Sequence, residues 1–299
     1  MRSPITRSEN VELVDKISTD RIKNLWELNL EMDISGEFEE EDKIKKYRCK
    51  DTDLIFFRPK TLEGSEKVYS RLKEKKWYYM KSKWEYNRAL KEVEKGSSCL
   101  VVGCGEGHFV EKLNEKGSEA KGIELSKEAV DVAKQKGRNV HLENLKVTSK
   151  NEKEKYQYVC AFQVLEHVVD PKKFLKNCVS CLSEKGKIII GVPNMDGYMG
   201  DMKEDILNMP PHHMTQWFPE TFRSLPEYLP ISLKSINFEP LATHHRSAYA
   251  RAQIDQLLGG SFPEIISKAS GFVLSQILRV PQLRQLLRGH TQVVIFEKL

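Results

Sequence analysis

Three glycines at alternate positions, Gly103, Gly105 and Gly107, are the residues whose spacing points most directly to chemistry. Without Cβ atoms they allow a tight turn and let a ligand lie against the backbone. The apolar run at 99–102 suits a strand buried on both faces, and residues 109–116 suit a helix. A strand, a glycine turn and a helix N-terminus together form a site for a nucleotide-like ligand with an anionic group.

The glycine spacing separates two kinds of nucleotide. A dinucleotide fingerprint requires glycine at the first, third and sixth positions of the turn, and His108 occupies the sixth. Glycine at the first, third and fifth positions resembles motif I of the class I S-adenosylmethionine (SAM) methyltransferases. A second stretch also resembles that family: Phe162, Val-Leu-Glu-His-Val at 164–168, then Asp-Pro opening a helix. The resemblance covers residues 85–245, but Val101 stands where the family has an acidic residue.

SAM is the cofactor that this resemblance implies. Glu124 ends the second strand, about twenty residues past the turn, where a carboxylate can accept hydrogen bonds from both ribose hydroxyls. The amide of Asn144, after the third strand, can donate to and accept from the adenine. The implied cofactor-binding residues are Gly103, Cys104, Gly105, Gly107, Glu124, Leu125, Glu143, Asn144, Phe162, Gln163 and Leu165.

Strands and helices alternate through the middle of the chain, which predicts an α/β fold. Ligands of open parallel sheets bind beyond the carboxyl ends of the strands. The implied cofactor-binding residues are predicted at that edge of the sheet, together with Pro193-Asn194. Ser126 and Asp170 are predicted N-caps. The resemblance implies a doubly wound, seven-stranded, mostly parallel Rossmann-like sheet. We expect an N-terminal helical and aromatic cap at 1–84, a SAM-binding domain at 85–299, and a helical insertion within it at about 245–290.

Enzymes of this family transfer the methyl group of SAM by in-line displacement, and a hydroxyl oxygen of a small molecule is the acceptor we expect. His212 and His213, in a methionine-rich segment, are the first candidates for the base that removes the hydroxyl proton. His167 is the next candidate. A histidine pKa near neutrality suits this role. The alternative is that the histidine pair fastens its loop by hydrogen bonds.

Two further functions are alternatives. Some ubiquinone-pathway and small-RNA methyltransferases carry Glu-x-x-Glu-His at this strand end and bind a divalent ion. Here Gln163 replaces the first glutamate before Glu166 and His167, which lowers affinity for a hard cation, so we predict no metal ion. Because Glu166 and His167 of that pattern are present, metal-assisted transfer to an RNA or quinone-like acceptor is one alternative. A non-catalytic SAM-binding or scaffold protein is the other, and Val101 supports it.

The N-terminal part of the chain, residues 11–98, is rich in aromatic residues and lysines and is called the leader below. Residues 62–90 are predicted to be helical, with Trp77 and neighbouring aromatic residues either stacking nucleic-acid bases or packing on the catalytic domain. In some bacterial methyltransferases a zinc ribbon precedes this helix. Only Cys49 remains of its cysteines, with Thr52 in the second place, so no zinc site is predicted.

The composition of the chain limits which partners and locations can be predicted. The net charge of +5 is too small to indicate nucleic-acid binding by itself. No signal peptide or membrane span is predicted, and the six cysteines are interpreted as core residues of a cytoplasmic protein. The basic segment 278–288 is either a membrane-surface helix or a helix pair packed by leucines. No pattern indicates an oligomeric state.

Overall fold

The computed structural model describes residues 1–38, 41–75, 78, 80–202, 205–258 and 264–299. Its strands are β1 (Val11–Ser18), β2 (Lys43–Cys49), β3 (Ile55–Arg58), β4 (Ser98–Val102), β5 (Glu119–Glu124), β6 (Val140–Leu142), β7 (Tyr156–Phe162), β8 (Leu182–Pro193), β9 (Thr215–Gln216), β10 (Ile231–Pro240) and β11 (Arg288–Lys298). Its helices are α1 (Thr19–Leu30), α2 (Glu66–Lys73), α3 (Trp84–Glu92), α4 (His108–Glu115), α5 (Lys127–Gln135), α6 (Leu145–Asn151), α7 (Pro171–Cys181), α8 (Tyr198–Asp201), α9 (Pro219–Ser224), α10 (Arg246–Leu258), α11 (Glu264–Ile277) and α12 (Pro281–Gln285).

Seven strands form the central sheet in the order β10-β11-β8-β7-β4-β5-β6. Strands β4 to β8 pair in parallel, with β9 in another sheet, while β11 runs antiparallel to both β8 and β10. The predicted α/β, mostly parallel seven-stranded fold is therefore confirmed. In β4, Leu100 packs into the core on one face and Val101 into the core on the other. This burial explains why the strand is a continuous apolar run.

The two predicted helix caps are confirmed. The Ser126 hydroxyl accepts a hydrogen bond from the Ala129 N–H at 3.3 Å, and the Asp170 carboxylate accepts one from the Lys173 N–H at 3.2 Å. Each cap pairs a backbone donor that the first helical turn leaves without a partner. Both helices follow strands of the central sheet, so the caps fix the turns at its functional edge.

The leader differs from the single helix expected over 62–90. That expectation is wrong, because α2 and α3 are separate helices. Residues 74–83 between them contain four lysines and three aromatic rings, a composition in which like charges and low helix propensity oppose helix formation. Trp77 lies outside the described residues. Before α2, the strands β1, β2 and β3 form an antiparallel sheet, to which β9 adds a fourth strand from much later in the chain.

Three helices, α10, α11 and α12, lie in the segment where a helical insertion is expected. In segment 278–288, Leu278 is buried against Met195 and Tyr198, whereas Leu286 is 82% exposed. The predicted packing by leucines thus holds for only part of the segment. Among the described residues, no helix has both the length and the apolar character needed to cross a membrane.

Candidate active site

A cavity of about 1370 Å³ lies at the carboxyl edge of the central sheet. The ends of β4, β5 and β7 line one part of it, and residues from the region of β10 and β11 line another. Helices α2 and α3 contribute to its wall. Nine of the eleven predicted cofactor residues lie on this wall: Gly103, Cys104, Gly105, Glu124, Leu125, Glu143, Asn144, Phe162 and Gln163.

The glycine turn has the backbone shape that its sequence predicts. Gly103 and Gly105 have φ angles of +62° and +54°, in the left-handed region that favours glycine. The N–H groups of Gly103 and Cys104 both donate to the Ile123 carbonyl, at 2.9 and 3.2 Å. A Cβ on Gly103 would lie 2.5 Å from a methyl carbon of Val164. The turn therefore has no space for a side chain at its first position.

Glu124 is held by three backbone donors. One carboxylate oxygen accepts from the Leu125 and Ser126 N–H groups, at 2.9 and 3.0 Å, and the other accepts from the Gly105 N–H at 2.9 Å. A carboxylate offers about four acceptor positions, so one remains on the second oxygen. Glu124 can thus accept a hydrogen bond from one ribose hydroxyl. A hydrogen bond from the second hydroxyl would have to share an acceptor position with the Gly105 N–H.

Two residues predicted near the adenine already have partners. The Glu143 carboxylate pairs with the Lys121 ammonium at 2.7 Å. The Asn144 side-chain oxygen accepts from the Lys146 N–H at 2.8 Å and caps α6. This cap fixes the Asn144 amide, whose nitrogen can still donate to a ligand.

Two other predicted cofactor residues do not line the cavity. Leu165 is fully buried in the hydrophobic core. Gly107 precedes α4, and a Cβ there would lie 2.7 Å from Val140. The close packing explains Gly107 without a ligand contact. Neither residue is carried into the cofactor site that we propose.

The three predicted catalytic histidines form one cluster on the cavity wall. The ring centroids of His167, His212 and His213 lie 4.4–4.8 Å apart. Each Nδ1 lies beside an oxygen acceptor: the His212 carbonyl at 2.6 Å, the Leu207 carbonyl at 2.9 Å and the Asn208 side-chain oxygen at 3.1 Å. Carbonyl oxygens only accept, so each Nδ1 carries the proton. The Nε2 atom of His212 is buried without a hydrogen-bond partner in the described part of the chain.

The pKa values of these histidines are far from neutrality, in contrast to the expectation from sequence. Burial lowers the pKa of His167 to about 4, and burial with His167 nearby lowers that of His212 to about 3. Burial and its histidine neighbours also hold the pKa of His213 well below its ordinary value. All three rings are therefore neutral at physiological pH. They can accept a hydrogen bond, but they are weak bases.

Several residues that line the cavity are not among the site residues predicted from the sequence. Both carboxylate oxygens of Glu166 are buried without a hydrogen-bond partner in the described part of the chain, and burial raises the Glu166 pKa to about 8. Its place in Val-Leu-Glu-His-Val was an available signal. The remaining residues come from separate segments of the chain and belong to no motif that the sequence analysis used: Glu85, Asp205, Glu239, His244, His245 and His290.

The fold and this cavity define a nucleoside-binding α/β enzyme. A family model described as "Methyltransferase domain" matches residues 77–258, which is more than half of the chain. The chain therefore belongs to the methyltransferase domain family, as a class I enzyme with SAM as its cofactor.

Similar proteins agree with this family. The chain is 30% identical over 106 residues to a protein named ubiquinone biosynthesis O-methyltransferase from Coxiella burnetii, covering 33% of this chain and 45% of the relative. It is 27% identical over 132 residues to the protein of the same name from Idiomarina loihiensis, covering 42% and 52%. The matches thus span about half the length of these curated relatives. A SAM-dependent methyltransferase from Archaeoglobus fulgidus has a TM-score of 0.52 at 19% identity, covering 77% of this chain and all of that one, which indicates a shared fold.

Proposed function

We propose that this protein transfers the methyl group of SAM to a hydroxyl oxygen of a small molecule. The main support is a single cavity, which is lined at one part by the glycine turn and Glu124 and at another by His167, His212 and His213. Ligand pockets usually have volumes of about 300–1,000 Å³. A cavity of about 1370 Å³ leaves space for an acceptor beside the cofactor. The name of the relatives, ubiquinone biosynthesis O-methyltransferase, also supports an oxygen acceptor.

The sheet order gives the direction in which SAM would lie. Asn144 follows β6, Glu124 ends β5, and the glycine turn follows β4. Adenine near Asn144 and ribose at Glu124 direct the methionine end of SAM over β4 toward β7. The histidine cluster then lies on the methionine side of the nucleoside. Bound SAM supplies an electrophilic methyl group there.

The residues of the compartment would orient the acceptor and receive its proton. The His212 Nε2 atom is buried without a hydrogen-bond partner in the described part of the chain, and as a neutral acceptor it can bind a hydroxyl. His213 and His167 are the next candidates. Glu166 is a further candidate, since it lines the same cavity and neither of its side-chain oxygens has a partner among the described residues. Orientation of the hydroxyl toward the methyl group is the largest contribution that we expect from the protein.

A labelling experiment tests the proposed function. The purified protein is incubated with SAM carrying a labelled methyl group and with a fraction of small metabolites. Transfer of the label to a compound that then bears a methyl ether supports the proposal. If the protein binds SAM but labels nothing across fractions that include RNA, a SAM-binding or scaffold role is correct. Label on nitrogen or carbon overturns the oxygen assignment alone.

Metal-assisted transfer is a second candidate because of the same cluster. One ring nitrogen from each of His167, His212 and His213 lies within 4.8 Å of those from the other two. The neutral rings, each oriented by an oxygen on Nδ1, resemble the usual arrangement of metal-binding histidines. Imidazole ligands suit zinc, iron, nickel or copper better than magnesium. Cobalt(II) added to the protein should then give a visible absorption spectrum that His213→Ala removes. Absence of any spectral change contradicts this candidate.

The cytoplasm remains the location that we propose. All six cysteines are free thiols, which agrees with a reducing compartment.

A further inference from the structure

The SAM site lacks the carboxylate that motif I usually provides. Val101 stands at that position and is 2% exposed, packed among apolar residues that include Phe109 and Phe162. A valine there can make no ionic contact with the ammonium group of SAM. The charge of this ammonium therefore has to be met by a residue from another element.

Glu85, in the first turn of α3, lies where such a residue is needed. It lines the same cavity as the glycine turn, and its carboxylate accepts a hydrogen bond from the Gln163 amide at 3.5 Å. A Cβ on Gly191 would lie 3.3 Å from the Cβ of Glu85, which fixes the glutamate above the ends of β7 and β8. The next residue, Tyr86, anchors the turn, because its ring packs on Phe109 and Phe162 with centroids 5.0 and 5.4 Å away.

Glu85 has no directly paired cation among the described residues. Glu85 is 4% exposed, and in the part of the chain that the structure describes it forms no ion pair within 4 Å. Burial raises its pKa, and Lys83 partly opposes this effect. Burial favours the protonated form of Glu85, and a cation bound beside it would favour the charged carboxylate. Lys83, two residues earlier, also lines the cavity and offers the opposite charge.

We propose that Glu85 binds the α-ammonium group of SAM and replaces the acidic residue absent at position 101. This inference rests on the proposed direction of SAM along the sheet, which brings the methionine end toward β7. An amino-acid end carries one positive and one negative group, and the start of α3 offers Glu85 in its first turn and Lys83 at its N-cap. The experiment asks whether the preference for the amino group depends on Glu85.

Calorimetry with two ligands tests the assignment. The ligands are S-adenosylhomocysteine and its deaminated analogue, in which hydrogen replaces the amino group. We expect the unaltered protein to bind S-adenosylhomocysteine at least about tenfold more tightly, the factor typical of a hydrogen bond to a charged group. Glu85→Gln should lose this preference and bind the analogue with unchanged affinity. Glu92→Gln, the same change at the opposite end of α3 and outside the cavity lining, should keep the preference.

Three results overturn the proposal. Equal affinity of the unaltered protein for both ligands does so without any variant, which keeps the test valid if Glu85→Gln fails to fold. A Glu85→Gln protein that binds the analogue normally and keeps the preference shows that Glu85 does not bind the ammonium group. If the unaltered protein binds neither ligand, the cofactor site itself is wrong, and the inference falls with it.

Discussion

The carboxylate of Glu124 accepts a hydrogen bond from the backbone N–H of Gly105 at 2.9 Å. This bond joins the end of β5 to the glycine turn after β4, although the two residues are 19 apart in sequence. The group proposed to bind ribose therefore also holds the turn on which the methionine end of SAM would lie. A change at either residue should alter both parts of the cofactor site.

Replacement of Gly105 by valine should abolish SAM binding. Gly105 has a φ of +54°, and a β-branched residue is strained in this conformation. The added side chain also occupies space at the cavity wall. Calorimetry with SAM measures the effect, and thermal melting shows whether the variant is folded. A folded variant whose SAM affinity stays within about twofold of normal contradicts the assigned site.

Glu124→Ala should weaken SAM binding by about 1.5–3 kcal/mol, the range for hydrogen bonds to a charged group. Glu119→Ala, at the exposed opposite end of β5, is the matched control and should bind SAM normally. NADH should not bind to the unaltered protein. Unchanged SAM affinity in Glu124→Ala, or clear NADH affinity, would refute the cofactor geometry.

Alanine at His212 or His213 should separate catalysis from anchoring. If one ring receives the hydroxyl proton, its variant should keep its SAM affinity and lose about 10²–10⁴-fold in turnover. If the rings only fasten the loop, through the Leu207 carbonyl and the Asn208 side chain, both variants should melt earlier and show a higher KM for the acceptor. Normal turnover in both variants removes them as bases, and His167 and Glu166 are then tested in the same way.

Glu239 should make stability depend on pH. Burial, with Glu85 nearby, raises the Glu239 pKa from 4.5 to about 7. Between these values the unfolded chain has lost the proton that the folded chain keeps, so the free energy of unfolding falls as pH rises and levels off above about 7. Glu239→Gln removes this contribution, which is at most on the order of 3 kcal/mol.

Urea unfolding of both proteins at pH 5 and pH 8 measures the contribution of Glu239. The variant should gain stability relative to the unaltered protein at the higher pH. The same difference between the two proteins at both values would show that Glu239 titrates normally.

The sequence predicts the cofactor half of the site better than the acceptor half, for a physical reason. Gly103 and Glu124 adjoin their own strands, so a local pattern of apolar strand and special residue identifies them and the parallel sheet brings them together. Glu85, Glu239 and His245 reach the cavity only through the packing of α3, β10 and the segment after it. No local periodicity encodes that packing. The low histidine pKa values also depend on burial, which residue type alone does not reveal.

Leu165 shows that a motif can also suggest a site residue that does not line the site. It lies within the Val-Leu-Glu-His-Val stretch, yet its side chain is fully buried in the core while Glu166 and His167 line the cavity. A motif marks a segment, whereas the local turn decides which of its side chains face a ligand.

The pairing of β3 with β9 has a consequence for the order of assembly during synthesis. Ile55 and Phe56 pair with Gln216 and Thr215, so the leader sheet stays one strand short until the ribosome has passed residue 216. By then β4 to β8, which carry the glycine turn and Glu124, have already been made. The nascent chain can thus complete its nucleoside platform before the wall that carries His212 and His213 closes over it.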